Sequence, residues 1–226
     1  MGNVSRSTAG RPGLDPDVIV KSALAIADTE GIDAVTIRRL AQEHQVTPMA
    51  LYRHFKDKDD LLQALADRLL ADIVVPDADD RPWHEQMRST LTALIAALRP
   101  HPDVAHLTVP RLLTSAPGLA LAERCLVLLV SGGFDIDRAA EVARSTLFSL
   151  VALVAAEPRL DPRTEKDDRD DAIAARRAAL ATLPVSRYPN VVAAAGTLSY
   201  CEDADHYYQI GLDLTVAAMI RTSPGR

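Results

Sequence analysis

The stretch "VTPMALYRHFKDKDDLL", residues 46–62, decides how the chain is read. An apolar skeleton of Val46, Leu51, Phe55 and Leu61 runs beneath Thr47, Tyr52, Arg53, His54, Lys56 and Lys58. Thr47 suits a helix cap, and Pro48 suits the first helical position, where a missing N–H costs nothing. The spacing predicts a short helix from Thr47 to about His54, held down by Leu51 and Phe55 at i and i+4. Its other face offers Thr47, Pro48, Met49, Tyr52, Arg53 and Lys56. Just before it, "TIRRLAQE" (36–43) predicts a second short helix, with Thr36 as cap and Ile37, Leu40 and Ala41 facing inward. "HQV" is the turn between them. Two short helices joined in this way form a helix-turn-helix, whose second helix enters the DNA major groove with its N-terminal side chains toward the base edges. An ordinary helical hairpin with one solvated face has the same spacing, so pattern alone leaves both readings open.

Charge has to be read locally. The 226-residue chain carries a formal net charge of −6. Residues 36–58 nevertheless hold five Lys/Arg against two Asp/Glu, whereas residues 59–226 have a net charge of −7. A small basic face on an acidic body suits a phosphate contact confined to one place, but a solvated face alone gives the same excess.

Composition supplies the frame. Hydrophobic residues make up 48% and aromatics 4%, with abundant Ala and Leu and few strand-favouring runs, so the expected class is all-α. No apolar run reaches the length of a membrane span, and "MGNVSRSTAGRPG" has neither the apolar core of a secretory signal nor the myristoylation pattern. A cytoplasmic, nucleoid-associated protein is expected. Cys125 and Cys201 are read as small buried hydrophobes in a reducing compartment.

Three parts are expected: a flexible arm (1–14), a helix-turn-helix domain with its connecting helix (15–75), and a larger helical domain (76–226). In the second, Asp15 caps a helix that begins at Pro16 and ends at Gly31. Asp57 caps the connecting helix, whose Leu61, Leu65, Leu69 and Ile73 make one stripe running to about Val74. "VVPDADDRPW" breaks the pattern. Helices follow at about 83–98, 103–115, 117–131, 136–156, 172–182, 190–200 and 204–221, with "EPRLDPRTEKDDRDD" (157–171) as an exposed, charge-dense loop. Trp83 is read as core packing at a helix start.

The segment "AIADTEGIDAVTIRRLAQEHQVTPMALYRHFKDKDDLLQAL" resembles the N-terminal domain of the TetR (tetracycline repressor) family of bacterial transcriptional regulators. "GGFDIDRAAEVARSTLFSLVA" and "YPNVVAAAGTL…YYQIGLDLTVAAM" resemble the C-terminal domain of its tetracycline-repressor subgroup. The resemblance implies an all-α, two-domain homodimer that binds a palindromic double-stranded operator and carries a small-molecule pocket. By position, Arg38, Thr47, Pro48, Met49, Ala50, Tyr52, His54 and Lys58 fall where the family contacts DNA. Thr36 and Arg38 can reach the groove edge or backbone, and Tyr52 and Lys58 can reach phosphates. Where that subgroup carries amide or hydroxyl readers, Met49 and Ala50 are apolar, which points to thymine-methyl contacts and a different operator.

The resemblance also bears on the ligand. Tetracycline repressors grip a magnesium–tetracycline chelate with histidines. The aligned positions here read Thr108 and Phe148, so a mostly apolar or aromatic organic effector is expected, with no metal and no cofactor. Candidate ligand contacts are Thr90, Leu94, His101, Thr108, Arg111 and Phe148. Arg111 fits an acidic ligand or a neighbouring acid equally, and Phe148 fits a pocket wall or core. Dimerisation is expected through helices 136–156 and 204–221, with Ala139, Ala143, Ala217 and Ala218 allowing close approach and Ile210 and Leu214 supplying apolar area. Two other readings stand: a regulator without a small-molecule effector, and an all-α enzyme. Against the enzyme, the histidines show no HExxH spacing and no GxSxG, GxxxxGK[ST] or GxGxxG occurs, so no catalytic residue is assigned.

Overall fold

The computed structural model describes residues 15–157, 166–201 and 203–224, and it is helical with no strand among them. The chain divides into two compact units, residues 1–65 and 66–226. The division falls inside the connecting helix, so its first half belongs to one unit and its second half to the other.

In the first unit, Pro16–Glu30 (α1) begins at Asp15, whose Oδ1 accepts the Asp17 N–H at 3.0 Å. It ends at Gly31, with φ 89°, a backbone conformation that glycine takes without a Cβ clash. Ile37–Glu43 (α2) starts at Thr36, whose hydroxyl accepts the Arg39 N–H at 3.1 Å. Pro48–Leu51 (α3) follows, then Lys58–Ala71 (α4). Asp57 caps α4 by accepting the Asp60 N–H at 2.8 Å, and Asp60 in return accepts the Lys56 N–H at 3.0 Å. Ile19, Ala23, Leu40, Leu51, Phe55 and Leu61 fill this unit's core. At about 25 cal/mol per Å2 of apolar surface buried, each large side chain there contributes roughly 1.5–3 kcal/mol.

The second unit is built on Trp83–Leu98 (α5), which packs against Ala116–Ser131 (α7), Ile136–Ala155 (α8) and Ala204–Thr222 (α12). Met87, Leu91, Leu94 and Leu98 give α5 its buried stripe at helical spacing. Trp83 is half-buried at the start of α5, its ring edge-on to Phe134 with centroids 6.0 Å apart, over Gly132. Between α5 and α7 lies Pro102–Ala105 (α6), continued by a 3-10 stretch, His106–Arg111. Lys166–Ala181 (α9) packs against Pro189–Ala193 (α10) and Ala195–Ser199 (α11).

Several expectations are corrected. The helix expected at 103–115 is broken, because Pro110 has no N–H to donate and sits inside the 3-10 turn. Residues 166–171 open α9 instead of continuing a loop, since acids such as Asp168, Asp170 and Asp171 are solvated on a helix as readily as on a coil; residues 158–165 lie outside those described. The helix expected at 190–200 is two, parted at Ala194, whose ψ of 8° leaves the helical basin. The connecting helix stops at Ala71, although Ile73 is still buried. Cys125 is buried but Cys201 only half so. Ala139 and Ala143 pack inside their own unit, leaving Ala217, Ala218, Ile210 and Leu214 as the exposed members of the expected dimer face.

The N-terminus of α7 presses on the 3-10 segment. A Cβ on Gly118 would lie 2.6 Å from the carbonyl oxygens of Arg111 and Leu112, so backbone would have to move. Gly118→Ala is expected to cost about 1–3 kcal/mol by overpacking and to lower the melting temperature by several degrees in calorimetry. An unchanged melting temperature would show that this contact yields freely.

Candidate nucleic-acid interface

The reader helix is shorter than its sequence suggests. α3 covers Pro48–Leu51, and the Leu51 carbonyl then accepts both the His54 and Phe55 N–H groups at 2.9 Å, which ends the helix in a turn. The link from α2 is tight: the Val46 N–H reaches the Ala41 carbonyl at 2.9 Å, and Gln45 takes φ 53°. Thr47 stands at the capping position in extended backbone, but its hydroxyl makes no capping bond. That hydroxyl is therefore not spent on the helix, contrary to the expected cap. Leu51 is fully buried and Phe55 nearly so, which turns the opposite face outward.

On that face Met49 is 68% exposed and Tyr52 49%. Thr36, Arg38, Thr47, Pro48 and His54 are also exposed, and Ala50 is half-buried. Arg38 makes no ion pair among the described residues. Its neighbour Arg39 is held away by Glu30 through two bonds of 2.7 and 3.2 Å. Lys58 departs from expectation: it is half-buried and its Nζ donates to the Ile32 carbonyl at 3.3 Å, tying the start of α4 to the turn after α1. Arg53 and Lys56 are exposed beside Tyr52 and make no side-chain ion pair among the described residues. A contact set carried over from the resemblance omits both; their only signal is charge on the free face.

The expected ligand contacts in the second unit lie on α5, on α6 with its 3-10 continuation, and on α8. Thr90, Leu94 and Thr108 are fully buried, and the two hydroxyls donate to carbonyls of their own segments, Gln86 at 2.9 Å and Ala105 at 2.7 Å. His101 is half-buried at the start of α6. Phe148 is half-buried with the Arg144 guanidinium 5.5 Å from its ring centre. For Arg111 the structure supplies the neighbouring acid: its Nε and Nη2 donate to the two Asp67 oxygens, each at 2.7 Å. These bonds hold the guanidinium above its usual range, and they clamp the second half of α4 to the 3-10 segment. A cavity of about 700 Å3 lies elsewhere, along α9, α11 and α12. Among the described residues no three His, Cys, Asp or Glu side chains form a metal set, and no single helix is long and apolar enough to cross a membrane.

The Arg111–Asp67 clamp is testable by a double-mutant cycle with Arg111→Met and Asp67→Ala. Asp67 is 35% exposed, so solvent screening limits the coupling to about 1 kcal/mol. A coupling near zero in urea unfolding would remove the clamp.

Comparison with known proteins places this geometry. The family model described as bacterial regulatory proteins, tetR family, matches residues 19–65, and that described as tetracyclin repressor-like, C-terminal domain, matches residues 75–221. The class A tetracycline repressor protein from transposon 1721 of Escherichia coli is 31% identical over 64% of this chain and 67% of its own length. An HTH-type transcriptional regulator of Saccharopolyspora erythraea is 29% identical over 55% of this chain, which spans about half (52%) of that relative's length. The crystal structure of ActR, a TetR family protein of Streptomyces coelicolor, in complex with actinorhodin has a TM-score of 0.77 at 29% identity, covering 95% of this chain and 99% of ActR.

Proposed function

This chain belongs to the TetR family of bacterial regulatory proteins, and from that membership we propose that it is a homodimeric transcriptional repressor released from a palindromic operator by a small organic effector. The observation that carries the reading is the short reader helix. Leu51 and Phe55 anchor it, while Thr47, Pro48, Met49 and Tyr52 stand in solvent. Each subunit inserts α3 into a major groove, where Met49 and Ala50 meet thymine methyls and the exposed guanidinium of Arg38 reaches a base edge or phosphate. Thr36, Tyr52 and His54 contact the backbone, and Arg53 and Lys56 add to the phosphate attraction. Lys58 acts mainly through its bond to Ile32.

Dimerisation uses the outer face of α12. Leu214 is 69% exposed and Ile210 47%, with the exposed Ala217 and Ala218 leaving room for a second helix. A two-fold protein matches a two-fold operator. ActR, whose fold this chain shares along nearly its whole length, is seen with an organic ligand, which supports an effector for the second unit. Such a ligand need only favour the conformation that spaces two reader helices wrongly. A tenfold loss of operator affinity requires about 1.4 kcal/mol of preference between the two states. α4, continuous from Lys58 to Ala71, is the mechanical link.

Selection from a random duplex pool tests the reading. It is expected to return a two-fold symmetric site whose affinity falls steeply with salt as counterions are released. Arg38→Ala should weaken the selected site by about 1–3 kcal/mol and relax the sequence preference. Equal affinity for the selected and scrambled duplexes would refute the proposal. Leu214→Glu is expected to give monomers by light scattering that no longer hold the full site; a monomeric unmodified protein would remove the α12 interface.

A further inference from the structure

Resting on the effector-responsive reading, we propose that the cavity along α9, α11 and α12 binds an organic anion with a flat apolar body, of the class of aromatic carboxylic acids. Its volume of about 700 Å3 suits a small organic molecule. Ile173, Tyr200 and Tyr207 supply apolar and aromatic wall, Ile210 marks the edge where the cavity meets the proposed dimer face of α12, and Arg177 and His206 supply basic groups. None of the ligand contacts expected from sequence lines it.

Arg177 carries the choice of charge. It makes no ion pair among the described residues, and its guanidinium lies along the backbone at Gly196. A Cβ there would stand 3.9 Å from the Arg177 Cζ, so the missing side chain leaves the cation's flank open to the cavity. Among the described residues the carboxylate on the wall is Asp203, which is engaged in capping α12, its Oδ1 accepting the His206 N–H at 3.0 Å. The Tyr207 ring is held in place by its hydroxyl, which donates to the Leu153 carbonyl at 3.0 Å. A planar guanidinium pairs with a carboxylate through two parallel N–H bonds, while the rings and aliphatic walls cover the ligand's body.

The probe is 2-naphthoate, with 2-naphthalenemethanol as its neutral counterpart, titrated calorimetrically into the full chain. The acid is expected to bind about tenfold tighter than the alcohol, as one charge-assisted contact allows. Arg177→Gln should erase that difference, and Gly196→Leu, which fills the space, should abolish binding of both. Cys201 lines the cavity, whereas Cys125 is buried and its thiol is pushed up to about 12, so a maleimide near neutral pH reports on Cys201. The acid should slow that labelling severalfold. An undiminished preference for the acid in Arg177→Gln, binding that survives Gly196→Leu, or labelling unaffected by the acid overturns the proposal. So does labelling that becomes fast only in Leu214→Glu, because a second copy then fills the cavity. Operator binding is recorded beside each titration. Its absence in the unmodified chain overturns the regulator reading, while calorimetry and labelling still decide the cavity.

Discussion

A helix of four residues cannot hold itself in water. Nucleation fixes several dihedrals for each hydrogen bond gained, and isolated helices need a dozen residues or more to be even marginal. α3 exists because Leu51 and Phe55 are sunk in the core made by α1, α2 and the start of α4. The tight turn from α2, with the Val46 N–H on the Ala41 carbonyl, fixes where it begins. Because packing and the turn do all the holding, the outward face carries no structural duty. Thr47, with its hydroxyl unspent, and the exposed Met49 can then be chosen for what they touch.

The ions of the first unit divide in the same way. Arg39 and Lys58 are occupied by Glu30 and by the Ile32 carbonyl, and they brace the helices. Arg38, Arg53 and Lys56 are left to solvent. The remainder of the chain is acidic, which disfavours adventitious contact with a polyanion elsewhere. A modest local excess of positive charge can thus direct a net-negative protein to DNA through one face.

Most of the first unit was legible in sequence because its signals are local. Asp15, Thr36 and Asp57 each cap the helix that their spacing announced, and Gly31 ends α1 with a positive φ. What escaped were partnerships between distant positions. Nothing near Lys58 in sequence marks the Ile32 carbonyl as its acceptor, and nothing near Arg111 marks Asp67. In the second unit, apolar spacing located α5, α7, α8 and α12, but burial cannot be told from pocket lining by periodicity alone. Thr90, Leu94 and Thr108, expected as ligand contacts, are fully buried, a state that core packing and the wall of an enclosed pocket share. The walls of the cavity on α9, α11 and α12 lie in or beside stretches expected to be helical, and what spacing along the chain does not show is that these separate elements face one another.

The proposed function requires the outward face of α3 to lie in the major groove, once in each half of a symmetric site. Replacing Met49 with a photo-crosslinking benzophenone amino acid and mapping the adducts on the selected duplex tests it most directly. Crosslinks are expected to bases in two major-groove patches about one helical turn, or about 34 Å, apart, with none on a scrambled duplex under the same conditions. Crosslinks scattered along the backbone, or none at all while the duplex stays bound, would contradict it.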